Sequence, residues 1–367
     1  MIEAIYYQTT YCIIVAILTI IVVYFYDVYG INISKKNVKF NDGAWALLLT
    51  LFMILFIGFR PISSVFVDMP GYAYGMLDGR FERIETTWDN NFIFYPMMAF
   101  LSSHGASPQT PIVILATINY GITYIAMRKF FPKDTTLAML VYCIALSTFA
   151  GATNGLKQGC AAAILLAALA YRENLLAFIF FLFLSFGFHH AMQLPIAAAI
   201  VCIFYKKTNT YYFFWFVCLI ISLFHVTYFQ TLFAGVTDEQ GADYLFVEAG
   251  SWESSFKGRV GFRYDFVIYS VMPMLIGRFI ILKKKIETER YSYLINVYTL
   301  TNAIWLLCMY ANYTNRIASL SWGIYPVIII YPFLKERINR RQGHSLISIV
   351  LIHLSFTLFM FLIYKGV

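Results

Sequence analysis

Arg60, Lys157, Arg259, Arg263 and Arg316, the adjacent pair His189 and His190, and the carboxylates of Asp68 and Asp265 all stand at the ends of apolar stretches. Guanidinium forks bind phosphate oxygens in pairs, and an ammonium supplies a compact point charge. An imidazole that is neutral near pH 7, or a carboxylate such as Asp68, can take a proton from a hydroxyl group. Side chains of these types, brought together, would hold a phosphate or pyrophosphate beside a base.

Each placement has a local context. Asn154-Gly155-Leu156-Lys157-Gln158 opens an apolar run, with Asn154 expected as its N-cap. A lysine in a first turn opposes the helix dipole unless an anion is present; the same lysine would also serve as a residue snorkelling to an interface. His189 and His190, read as neighbouring helical positions, would point about 100° apart, so that one ring faces a site while the other packs. Histidines in apolar helices also serve as interhelical polar contacts. Arg259 and Arg263 precede Asp265, which either steers Arg263, caps the helix or pairs with it. Arg316, in Asn312-Tyr313-Thr314-Asn315-Arg316, repeats the first-turn placement of Lys157. Gln158, Asn154, Asn312 and Asn315 are the supporting amides. No zinc-ligand spacing accompanies the histidines, so no metal and no other cofactor is expected.

The elements that must carry these residues are membrane helices. The chain has 367 residues, is 60% hydrophobic and 13% charged, and has a mean hydropathy of +0.69, whereas soluble domains carry about 25% charged residues. That points to an all-α polytopic membrane protein. The net charge of +8 is scattered over short loops, which argues for membrane orientation and against nucleic acid. The six cysteines lie in apolar runs without CxxC spacing, which indicates neither a disulfide framework nor a thiolate metal site. No basic segment precedes the first run, so that run is expected to stay in the mature chain.

Apolar runs fall at about 11 to 27, 44 to 60, 109 to 127, 135 to 151, 155 to 172, 174 to 188, 190 to 205, 211 to 231, 265 to 282, 293 to 312, 316 to 333 and 345 to 364. About 20 residues are needed to cross a bilayer. The stretch 92 to 103, which contains Pro96, is too short and is expected to be a re-entrant or interfacial helix. Leaving it out puts 18 of the 27 basic residues on one side, Lys35, Lys36 and Lys39 among them. The positive-inside rule then predicts about twelve spans, with both termini outside. The long loops 61 to 108 and 232 to 264 are both outside, and residues 1 to 367 read as one integral membrane domain. The candidate residues all fall on the outer side, where helices entering from outside present free N–H groups to anions.

Taken in order, Gly58-Phe59-Arg60 followed by Asp68 and Tyr72, the Asn154 to Gln158 helix start, the histidine pair, Gly261-Phe262-Arg263-Tyr264 and the late Asn312 to Arg316 segment resemble the EpsG family of Wzy-like polysaccharide polymerases. The resemblance runs from Gly58 to Arg316. It implies a GT-C-like fold, residence in the bacterial cytoplasmic membrane, and an undecaprenyl-pyrophosphate-linked oligosaccharide as both donor and acceptor; it also admits a chain-length regulator protein as a further partner. Two departures stand out. Lys157 occupies a place where the family usually has arginine, and Asn91 replaces an expected glutamate.

The function expected is polymerisation of lipid-linked repeat units into O-antigen, capsule or exopolysaccharide, with inversion at the anomeric carbon. A lipid-linked glycan flippase or other transporter, or a membrane acyltransferase, are the competing readings. Ionisable residues at span ends and not at mid-span weigh against a transporter, and short inner loops weigh against an acyltransferase fed from the cytosol.

Overall fold

Helices form wherever the apolar runs lie, because a chain in hydrocarbon must satisfy its backbone internally. The computed structural model describes residues 2–29, 42–88, 90–226, 228–229, 261–283, 288–311, 314–336, 338 and 341–365. Its α-helices are α1 (Tyr7–Tyr29), α2 (Asp42–Gly58), α3 (Met69–Leu77), α4 (Phe94–Ser103), α5 (Gln109–Phe130), α6 (Thr135–Cys143), α7 (Thr148–Thr153), α8 (Leu156–Ala170), α9 (Leu175–Phe188), α10 (Gln193–Phe204), α11 (Thr208–Leu223), α12 (Tyr264–Arg278), α13 (Glu289–Leu307), α14 (Thr314–Trp322), α15 (Tyr325–Lys335) and α16 (Gln342–Lys365). Among the described residues there is no strand.

Five helical stretches are long and apolar enough to cross a membrane by length and composition: Ala4–Val28, Gln109–Phe130, Tyr264–Ile281, Thr314–Lys335 and Gln342–Tyr364. Five shorter apolar helices accompany them, at Asp42–Gly58, Leu156–Ala170, Leu175–Phe188, His190–Phe204 and Thr208–Leu223. The chain is a multi-pass membrane protein. The two remaining apolar runs differ in kind. That at 135 to 151 is divided between α6 and α7, and that at 293 to 312 is the 19-residue α13, whose Asn296, Thr299, Thr301 and Asn302 dilute its apolar character. The stretch at 92 to 103 forms the ten-residue α4.

Two compact units divide the chain: residues up to His189 together with those from Ile330 onward, and His190–Ile329. In the first, the alanine-rich α8 is the centre, packed against α5 and α9; small side chains let helix backbones approach closely. Gly159 shows how closely, since a Cβ there would stand 2.1 Å from the carbonyl oxygen of Gly151. In the second, α13 is buried along nearly its whole length and contacts α10, α11, α12 and α14. Side-chain caps set two starts, with Asn174 Oδ1 accepting from Ala177 N and Thr288 Oγ1 from Tyr291 N.

One end of the first unit is fastened by carboxylates. Asp42, in the first turn of α2, accepts from the backbone N–H groups of Thr135 and Thr136 at 2.7 and 3.0 Å and so caps α6 as well. Asp134 accepts from Tyr26 Oη at 2.7 Å. Lys335 lies nearby, over the Phe131 ring at 5.9 Å.

Candidate functional site

At the opposite end of this unit, α2 stops at Gly58 and the chain turns through Phe59 and Arg60 to Pro61. Arg60 is fully buried. Its Nη1 donates to the Ile57 carbonyl at 2.7 Å and its Nη2 to the Thr153 carbonyl at 3.2 Å. Both acceptors are helix-end carbonyls, which lack intrahelical partners. The guanidinium carbon lies 5.2 Å from the Phe66 ring centroid. Gln109, opening α5, donates to the carbonyls of Gly58 and Arg60 at 2.5 and 3.2 Å.

Thr153 ends α7, and the following turn carries Asn154, Gly155 and the start of α8. Asn154 is not the N-cap of α8, as its residue type suggested. Gly155 holds that position, while Asn154 closes α7, its N–H donating to Ala150 O at 2.8 Å. The N–H of Gly155 donates to the same carbonyl at 2.9 Å, so both residues of the turn still close α7. The Asn154 Oδ1 atom is buried and without a partner among the described residues. Lys157 Nζ donates to Tyr95 Oη at 3.1 Å and lies 4.9 and 5.6 Å from the centroids of the Tyr95 and Phe94 rings. Gln158 follows it, half-buried.

Those two rings belong to the first turn of α4, and its approach is tightly built. Asn91 is buried at φ +49, a left-handed conformation that asparagine tolerates better than most residues. Ile93 N donates to Gly187 O at 2.9 Å, and its side chain fills the space a Cβ at Gly187 would need. Trp88 stacks on Phe92 at 4.5 Å, next to Phe183 and Phe186 of α9. Phe94 meets Phe188 edge-on at 6.4 Å. His189 comes next, half-buried and extended at φ −150, ψ 118, ending α9, whereas His190 opens a single 3-10 turn. The two are therefore not neighbours on one helix, and the 100° relation expected of them does not apply. Asp68 sits half-buried at the N-cap position of α3, with no side-chain capping bond.

In the second unit, Arg263 and Asp265 form a bidentate pair, Nε to Oδ1 at 3.0 Å and Nη2 to Oδ2 at 2.8 Å. Arg263 is only 8% exposed, and its guanidinium lies 3.5 Å from the Phe266 ring centroid. Its N–H points at Met309 Sδ, 3.2 Å away. Arg316 is half-buried in the first turn of α14 beside the exposed Asn315. Thr314, opening that helix, accepts from Trp305 Nε1 at 2.9 Å. Arg259 and Asn312 lie outside the described residues.

The structure thus makes two groupings, one in each unit. Arg60 and Lys157 flank the turn from Thr153 to Lys157, with the His189 segment tied to α4 by Gly187; Arg263 and Asp265 bind each other. Among the described residues no three His, Cys, Asp or Glu side chains gather as a metal set would. Tyr95, Phe94 and Gln109 were not anticipated; Tyr95 is 62 positions from Lys157, and nothing in either local sequence announces the other.

The model of the EpsG family matches residues 43–367. The chain belongs to the EpsG family. Members of the EpsG family are Wzy-like polysaccharide polymerases or glycosyltransferases, so the match places this chain in polysaccharide biosynthesis at a membrane. Every candidate residue, from Arg60 to Arg316, falls within the EpsG match, whereas α1 precedes it. No curated protein and no solved structure matches the chain.

Proposed function

We propose that this EpsG-family protein joins undecaprenyl-pyrophosphate-linked oligosaccharide units into a surface polysaccharide at the outer face of the bacterial cytoplasmic membrane. The single observation that carries the reading is the family match over residues 43–367. In this reading the chain is GT-C-like, crosses the membrane about twelve times and keeps both termini outside.

The reaction is a displacement. An acceptor sugar hydroxyl forms a bond to the anomeric carbon of the donor, the bond from that carbon to the pyrophosphate oxygen breaks, and the hydroxyl proton passes to a base. Direct attack inverts the anomeric centre. Negative charge grows on the leaving pyrophosphate, where fixed positive charge is most effective. Lys157, in the first turn of α8, is the direct contact that the first unit offers, and Arg316, in the first turn of α14, the one that the second offers; Arg259 is a further phosphate-binding residue. Arg60 and Arg263 contribute charge from buried positions and hold the Thr153 turn and Asp265 in place. His189, His190 or Asp68 takes the proton, and Asn154, Gln158, Asn312 and Asn315 offer amides to sugar or phosphate.

The test is purified protein supplied with a lipid-linked repeat unit. Longer products made without an ion gradient are expected from the wild type, and Lys157→Ala and Arg316→Ala should abolish extension at normal expression. Full-rate polymerisation by both variants would remove the anion-site assignment. Movement of unmodified lipid across vesicles, with no extension, would replace polymerase by flippase.

A further inference from the structure

Lys157 reaches from the first turn of α8 to Tyr95 in the first turn of α4, Nζ to Oη at 3.1 Å. An ammonium carries three donors and no acceptor, so along this contact the phenol oxygen must accept. The phenolic hydrogen is therefore turned away from Lys157. A hydroxyl that already accepts from a cation is polarised into a better donor. The same small region then presents the remaining ammonium hydrogens and one phenol hydrogen, all donors. What satisfies such a set is a ligand rich in acceptors and negative charge.

The surroundings support that reading. Tyr95 is only 8% exposed and Lys157 is half-buried, so water competes weakly for these donors. Among the described residues no carboxylate lies within ion-pair distance of Lys157. The rings of Phe94 and Tyr95 seat the ammonium by their π faces. A ring face contributes attraction but neutralises no charge.

We propose that Tyr95 is a ligand-contacting residue of the phosphate site, its O–H donating to the same phosphate or diphosphate oxygens that the Lys157 ammonium neutralises. The inference rests on the reading of Lys157 as an anion-binding lysine. Its specific content is that the hydroxyl, and not the ring alone, carries affinity.

Tyr95→Phe separates the two, since it keeps the ring under Lys157 and removes only the O–H. Binding of inorganic pyrophosphate and of a polyprenyl diphosphate would be measured on the purified full chain in detergent, for wild type, Tyr95→Phe and Lys157→Met. Tyr95→Phe should weaken binding by about tenfold, as expected for one hydrogen bond to a charged group, with the thermal unfolding midpoint unchanged. Weakening towards both probes assigns the contact to the phosphate chemistry they share; weakening towards the polyprenyl diphosphate alone supports it with a lipid headgroup as the source. If Tyr95→Phe binds both probes like the wild type while Lys157→Met does not, the tyrosine assignment falls and the lysine reading stands. If Lys157→Met also binds like the wild type, or the wild type binds neither probe, the reading beneath falls with it.

Discussion

Arg60 Nη2 donates to the carbonyl oxygen of Thr153 at 3.2 Å, tying the segment that follows α2 to the turn that carries Lys157. Arg60→Met should strand the Ile57 and Thr153 carbonyls in a buried site and cost about 2 to 6 kcal/mol, given about 1 to 3 kcal/mol for each unsatisfied group. Arg60→Lys, with one compact donor in place of a fork, should fall between. Denaturant titration in detergent measures both, and a Met variant as stable as wild type would show that the two bonds hold nothing together.

Gly159 governs the same turn from the other side. Alanine there would place a methyl carbon 2.1 Å from Gly151 O and 2.8 Å from Asn119 Nδ2. Backbone cannot yield as a flexible side chain can, so α7 and α8 must part. Gly159→Ala should lose about 1 to 3 kcal/mol, the usual cost of overpacking, and should lower chain extension as Lys157 moves with its turn. Thermal unfolding and a product-length assay on one preparation test the link; loss of stability with extension unchanged would uncouple the turn from the site.

How far the sequence could be read depends on the range of the interaction concerned. Lys157 and Arg316 were visible because a cation in a helix's first turn contradicts a local rule, and local rules need only a few neighbours. The helices were visible for the same reason, since apolar runs state their own burial. Asn154 has the residue type of an N-cap, but its N–H and that of Gly155 are both taken by Ala150 O at the end of α7, a helix end that its own few neighbours do not announce. The His189 and His190 geometry failed likewise, since α9 ends one residue before the pair. Tyr95 under Lys157, and Thr153 under Arg60, were out of reach, because each joins segments 62 and 93 residues apart that no periodicity relates.

Arg263 and Asp265 are two positions apart, and their pairing was one of three alternatives the sequence left open. With Arg263 buried and Asp265 about a quarter exposed, removing the carboxylate takes two charge-assisted hydrogen bonds from the guanidinium. Asp265→Ala should cost on the order of 3 kcal/mol, and Arg263→Met combined with Asp265→Ala should cost less than the two single changes added together. A double-mutant cycle from detergent unfolding isolates the coupling; strict additivity would mean the pair is held by its surroundings and contributes nothing of its own.

Asp134 offers a pH test at the end of the first unit away from the candidate site. Burial, reinforced by the nearby Asp42 carboxylate, raises its carboxyl to about 6, while the hydrogen bond from Tyr26 and the charges of Lys335 and Lys133 pull the other way. The unfolded value is about 4. Between these values the folded protein keeps a proton that the unfolded chain has released, so stability falls as pH rises. The contribution is fully present below pH about 4 and lost once pH passes about 6. Asp134→Asn keeps an acceptor for Tyr26 and cannot ionise. Its unfolding midpoint should equal that of wild type near pH 4, rise above it through pH 5 to 6 and hold a constant lead beyond. A lead that is the same at every pH would mean that the Tyr26 bond and the lysines cancel burial at this carboxyl, and one that opens as pH falls that they outweigh it.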